Sequence, residues 1–243
     1  MKRLYALLIV ALFATAPSLS AQSNPIQDAA REAEALLRDM PTNNYRTIYA
    51  GYNSAHVNWR EYGLMGEILF PINGGVTLGY LEALNIWKGM PIYVEYGANV
   101  QYLFGSEKLE GVEIMGVVWD TNYKTNLFAV NVPVNLSLRL SLEDGLIAVT
   151  PYAGLNARLH VAGKQVITSG KAKHETAVFD SSKEEGAAGD EAFNRFQLGF
   201  NVGCSVTYSV YSVGIGHIFD FSKLSTEGRG RLGVTTISLG YNF

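Results

Sequence analysis

The chain of 243 residues sets 19 Lys and Arg against 22 Asp and Glu, a formal net charge of −3, which excludes the basic surface that nucleic-acid binding needs. Hydrophobic residues make up 48% and charged residues 17%, yet beyond the amino terminus no segment approaches the ~20 consecutive apolar residues of a membrane helix. The single cysteine, Cys204, excludes an internal disulfide, so the apolar content must be distributed in some other pattern.

Residues 1–21 read as a secretory signal peptide. Lys2 and Arg3 form the basic region, Leu4 to Ala16 the apolar core, and cleavage is expected after Ser20 or Ala21. The apolar run is too short for a spanning anchor. The exported remainder holds 17 basic and 22 acidic residues, a net charge of −5. Residues 22–44 follow as a helix and linker. Asn24 suits an N-cap, Pro25 the first helical position and Gln27 the third position of a capping box. Ile26, Ala29, Ala30, Ala33, Leu36, Leu37 and Met40 repeat at helical spacing until Pro41. This helix is expected in the periplasm, against the barrel mouth or a partner.

From Tyr45 onward the period changes to two. Alternating segments run at about Tyr45–Val57, Gly75–Ile86, Pro91–Phe104, Thr125–Leu142, Ile147–Ala162, Asn194–Ser209, Tyr211–Phe221 and Arg231–Phe243. Each reaches the ~9–11 residues that a tilted membrane strand needs, and the count is even, as a closed bacterial barrel requires. In the sixth, Phe196, Leu198, Phe200, Val202, Cys204, Val206 and Tyr208 oppose Gln197, Gly199, Asn201, Gly203, Ser205 and Thr207. A face of Gly and Asn is no hydrophobic core. The aliphatic face is therefore expected to meet lipid, which favours an outer-membrane barrel over a lipocalin-like barrel or sandwich.

Connection lengths alternate in the same sense. Trp87–Met90, Glu143–Leu146 and Ser209–Tyr211 are short, as periplasmic turns are; 58–74, 105–124, 163–193 and 222–230 are long, as extracellular loops are. The 163–193 connection, with KEEGAAGDE at its centre, is expected to be disordered. Aromatics fall where two girdles would lie: Trp87, Tyr208, Tyr211, Tyr241 and Phe243 at the periplasmic rim, and Tyr102, Phe104, Phe128, Phe196, Phe219 and Phe221 at the outer rim. Glu82 breaks the pattern, since alternation with Val76, Leu78 and Tyr80 points it into lipid unless a bulge near Leu81 turns it inward. The final strand puts Ile237, Leu239, Tyr241 and Phe243 on the lipid face.

Gly51 with Asn53-Ser54, Leu78-Gly79-Tyr80, Asn131 to Asn135 (NVPVN), Pro151 to Gly154 (PYAG) and Leu239 to Phe243 resemble the PorT-like outer-membrane β-barrel domain family, an architectural relative of small OmpA-like and OmpX-like barrels. The resemblance implies an all-β, eight-stranded antiparallel transmembrane barrel over residues 45–243 in the outer membrane, with no assigned activity. A terminal aromatic also resembles the Gram-negative barrel signal, which implies that Phe243 is read by the barrel assembly machinery.

Candidate chemistry is sparse. His56, His160, His174 and His217 share no ligand spacing, so no metal or other cofactor is expected. Ser54 and His56 near the outer rim would suit an outer-membrane hydrolase acting on lipid or peptide, but no oriented acid accompanies them. An ionic cluster is expected in the lumen: Glu95 against Arg139 near the periplasmic end, Arg158 higher on the next strand, and Glu82 if the bulge exists. The expected function is that of a monomeric envelope anchor, non-enzymatic, surrounded by outer-membrane lipid and contacting periplasmic or extracellular protein partners. The alternative is a narrow pore, although an eight-stranded lumen is only wide enough for its own side chains.

Overall fold

The computed structural model describes residues 43–243 apart from 62–63, 88, 115–116, 143–145, 171, 180–192 and 226–228. The expected signal peptide, the helix at Asn24–Pro41 and the KEEGAAGDE stretch lie outside the described residues. In chain order the elements are β1 (Tyr45–Asn58), α1 (Leu64–Leu69), β2 (Gly74–Asn85), β3 (Ile92–Ile114), β4 (Val117–Leu138), β5 (Leu140–Leu142), β6 (Ile147–Ser169), β7 (Ala172–Ala177), β8 (Phe196–Tyr208), β9 (Tyr211–Asp220) and β10 (Arg231–Asn242).

Eight of these strands form a closed antiparallel ring in the order β1, β2, β3, β4, β6, β8, β9, β10. Closure comes from β10 pairing with β1, from Thr47↔Asn242 to Asn58↔Arg231. β5 continues the line of β4 along β6 after a break at Arg139. Such a ring leaves no unpaired edge at membrane depth, which is the condition for strands to cross lipid. On the outside, Ile48, Tyr52, Leu78, Val132, Leu136, Leu155, Phe200, Ile215, Ile237 and Leu239 are all exposed. On the inside, Asn53, Asn99, Asn131, Asn135, Asn156 and Asn201 are buried. The inversion of the usual inside-apolar rule identifies a membrane-spanning barrel.

All the expected girdle aromatics are exposed on the outer wall, from Phe104 at 37% to Tyr211 at 66%. At the periplasmic side β8 and β9 are joined by a two-residue turn, in which Ser209 adopts φ 56°.

Two regions depart from the sequence expectations. β3, β4 and β6 run for 22 to 23 residues, at least twice the ~9–11 a span requires, so the expected loop at 105–124 is largely strand and 163–169 is strand as well. Above the barrel, β3, β4, β6 and β7 thus form a four-stranded fin. In it Glu175 lies between Lys164 and Lys173, and these two ammonium groups hold its carboxyl down at about 2.

The second departure is inside. The extracellular end of the lumen holds an apolar core of Ala55, Val57, Leu103, Leu127, Leu232 and Val234 from the wall, against which the connecting segments press Trp59, Phe70, Ile72, Phe179, Phe193 and Leu224. The inward face is therefore polar only in its lower part. Above that part, the segments around α1, Phe179, Phe193 and Leu224 fold in, and the wall turns aliphatic to meet them.

Candidate functional site

The lumen is layered. Its periplasmic part encloses a cavity of about 110 Å³, lined by Tyr45, Tyr49, Glu95, Arg139, Tyr152 and Asn201 among others. Glycines let the tyrosines lie flat against the wall. A Cβ at Gly203 or Gly216 would collide with the Tyr152 ring or its hydroxyl. Interior polar pairs link the strands: Thr236 Oγ1 donates to Asn53 Oδ1 on the neighbouring strand (2.7 Å), and Asn201 Nδ2 on β8 reaches over β6 at Gly154 to Asn135 Oδ1 on β4 (3.1 Å).

Between this cavity and the apolar plug a chain of hydrogen bonds crosses the barrel. Thr77 Oγ1 donates to Asn99 Oδ1 (3.4 Å), Asn131 Nδ2 donates to the same oxygen (2.8 Å), and Arg158 Nε donates to Asn131 Oδ1 (2.9 Å). Arg158 Nη1 then forms an ion pair with Asp220 Oδ2. With its amide nitrogen turned inward, Gln197 donates to Asp220 Oδ2 (3.2 Å) and to His160 Nε2 (2.9 Å), while its oxygen accepts from the Leu224 N–H (3.2 Å). The His160 ring stacks on Phe179 of the plug, with centroids 5.3 Å apart. The chain thus fastens the plug to six strands. Gly199 makes room for the acid, since a Cβ there would lie 2.5 Å from Asp220 Oδ1.

The four residues expected in one ionic cluster separate into three places. Glu95 is buried beside the lower cavity, but its cross-strand neighbour is Asn135, and Arg139 lies four residues nearer the periplasm. Tyr45 stands between the two charges: its hydroxyl donates to Glu95 Oε1 (2.5 Å), and the Arg139 guanidinium lies 4.2 Å from the centre of its ring. The expected direct Glu95–Arg139 contact is therefore replaced by a Tyr45 bridge. Arg158 belongs to the upper chain of hydrogen bonds. Glu82 stays outside, because the pairing of β2 runs unbroken from Leu81 through Glu82 on both sides, without the bulge that would turn it. There it accepts from Arg46 (3.2 Å), which satisfies its charge at the periplasmic rim.

Asp220 was missed as the partner of Arg158. Its inward parity follows from Phe219 and Phe221 on either side, but depth across sheared strands does not follow from counting along one chain. Ser54 and His56 point outward, with Thr235 and His217 rather than a carboxylate beside them. His160 lies inside and His174 on the fin, and no group of three potential metal ligands converges among the described residues. Phe243 is 59% exposed on the outer wall, its N–H donating to the Arg46 carbonyl (2.9 Å).

No protein-family model and no curated protein matches the sequence. Among solved structures, the chain is similar to Ail, the attachment invasion locus protein of Yersinia pestis, crystallised with the heparin analogue sucrose octasulfate. The identity is 14% and the TM-score 0.42, covering 83% of this chain and 99% of that one. It is also similar to a major outer membrane protein of Thermus thermophilus (10% identity, TM-score 0.41, 83% and 100% covered) and to Neisserial surface protein A (10%, 0.39, 82% and 97%). The barrel itself rests on its own register and its apolar outer wall. Those features make this an outer-membrane β-barrel of the small, eight-stranded kind.

Proposed function

We propose that the chain is a closed envelope anchor that presents its extracellular fin to a partner and conducts nothing through its lumen. The observation that carries this reading is the plug: Trp59, Phe70, Phe179 and Phe193 meet in ring contacts of 5.2 to 6.3 Å across the barrel mouth. A permeation path would have to open a packed apolar core and break the Arg158–Asp220 pair below it. The fin supports the interaction half of the reading. Above Phe104 the outer edge of β3 has no strand beside it among the described residues, and exposed edges invite pairing with a further strand.

Residues 22–44 would supply a second, periplasmic contact. The short motifs noted above place the chain, on this reading, with PorT-like barrels, inserted as a monomer by the barrel assembly machinery. Planar-bilayer recording of the full chain tests the closed lumen, and regular conductance steps would overturn it. Crosslinking in intact envelopes from a photoreactive residue at Ser106 or Lys173 tests the fin. If the only adducts are to lipid, the partner-presenting role fails.

A further inference from the structure

Two tyrosines stand on opposite walls of the lower lumen at one height. The register from Tyr49 leads one way through Gly79, Asn99 and Asn131 to Arg158 on β6, and the other way through Gly240, Ser212 and Thr207 to Ala148. Strands in a sheared barrel are staggered, so the height of Tyr49 on the far wall falls midway between those two ends, beside Tyr152. β6 is the fourth strand from β1 in either direction, which makes the two walls opposite. Each ring covers the glycine directly across from it on the neighbouring strand, Tyr49 over Gly79 and Tyr152 over Gly203, where an added Cβ would lie 2.4 Å from the ring Cζ. With one face held against the wall, each ring turns the other toward the cavity that both of them line.

A quarter turn from each tyrosine lie β3 and β9, again on opposite walls. β3 contributes Glu95 and Asn99 to the cavity lining. Tyr45 engages one carboxylate oxygen of Glu95, and a carboxylate has acceptor sites beyond that one. On the β9 side Gly214 stands in one row between Ser205 of β8 and Ser238 of β10, with Ser212 two residues closer to the periplasm. All three serines line the cavity and are only half-buried. The space of about 110 Å³ between these four walls is several times the ~10–15 Å³ that one water needs. Above it run the hydrogen-bonded chain from Thr77 to Arg158 and the apolar plug, and its lower end lies among Tyr45, Arg139 and Asn242. Entry is therefore from the periplasm.

We propose that this cavity binds a single neutral sugar ring. The face of a tyrosine ring is electronegative and attracts the C–H groups of a pyranose, and two such faces on opposite walls suit the two faces of one sugar. Hydroxyls at the rim of that sugar reach Glu95 and Asn99 on one side and the serines on the other, each of which accepts or exchanges a hydrogen bond. The cavity is lined by one carboxylate and one guanidinium, which favours neither an anion nor a cation, and its volume suits one ring rather than a chain. A blind site of this kind carries no current, so it goes beyond the closed anchor without conflicting with it.

Saturation-transfer difference NMR on the full chain in nanodiscs tests this, with glucose, galactose, mannose and N-acetylglucosamine as probes and sorbitol as the open-chain control. At least one ring sugar should bind, with transfer strongest to its ring C–H protons, and sorbitol should not. Tyr49→Leu/Tyr152→Leu keeps apolar bulk but removes the aromatic faces, and should weaken binding about tenfold. Gly214→Leu removes no polar atom. An added Cβ there meets only the Ser238 hydroxyl (2.9 Å) and Ser205 Cβ (3.5 Å) among side chains, so the leucine projects into the cavity and should abolish binding. Heat-modifiable gel mobility shows which variants are folded. The proposal is overturned if no sugar gives transfer beyond that of empty nanodiscs, if sorbitol binds as well as the sugars, or if either folded variant binds like wild type.

Discussion

Arg158 and Asp220 are paired across the barrel interior from β6 to β9, over the intervening β8, with neither side chain reached by solvent. Removing two charges from water is offset only if each keeps its partner. Arg158→Leu alone should therefore cost on the order of 3–5 kcal/mol, because it leaves Asp220 buried and unpaired. Arg158→Leu/Asp220→Leu should cost much less. Urea unfolding in lipid vesicles, followed by the heat-modifiable band, measures both, and equal losses in the single and double variants would refute the pair.

The plug should behave as a soluble protein core that happens to sit inside a membrane barrel. Phe193 is 4% exposed and touches the rings of Trp59, Phe70 and Phe179. Phe193→Ala should cost about 3–5 kcal/mol locally, as other buried Phe truncations do. The effect should appear as faster proteolysis of the extracellular segments in a barrel that still migrates as folded. An unchanged digestion rate would mean that the ring contacts contribute nothing.

The parts legible in the sequence were those where one face of a strand meets lipid and the other meets the lumen. Phe196 to Tyr208 alternates cleanly because every second residue changes solvent. Along Ser106 to Gly111 neither face is buried, the alternation fades, and a strand reads as a loop. The plug was hidden for a different reason. Trp59, Phe70, Ile72 and Phe193 sit in connections, where no period marks them as buried. The Arg158–Asp220 pair was half legible, since inward parity is local but depth depends on the stagger between strands.

Phe243 ends the chain on the outer wall, exposed to lipid and tied by backbone hydrogen bonds to Arg46. Its ring stacks on Tyr241 with centroids 6.3 Å apart, and its high exposure leaves it little apolar burial within the fold. Deleting Phe243 should accordingly lower the amount of protein inserted and leave the unfolding midpoint of the inserted fraction nearly unchanged. Quantifying heat-modifiable protein in isolated outer membranes separates the two effects. Equal amounts with and without Phe243 would remove the inferred assembly role.

The last prediction concerns the periplasmic end of the lumen, where Tyr45 separates Glu95 from Arg139. Two charges in direct contact would couple strongly, and neutralising either would strand the other. Here the Tyr45 hydroxyl satisfies Glu95 Oε1, and the guanidinium gains from the face of the tyrosine ring. A double-mutant cycle on Glu95→Gln and Arg139→Gln should therefore give a coupling at the low end of the range for residues in one network, about 0.5–1 kcal/mol, because the two charges meet only through Tyr45. The Tyr45→Phe/Glu95→Gln cycle should give about 1.5–3 kcal/mol, the range for a hydrogen bond to a charged group. Tyr45→Phe keeps the ring, so Arg139 retains its stacking partner and the cycle isolates the hydroxyl. If the Glu95–Arg139 coupling exceeds the Tyr45–Glu95 coupling, the two charges meet directly and the tyrosine is a bystander.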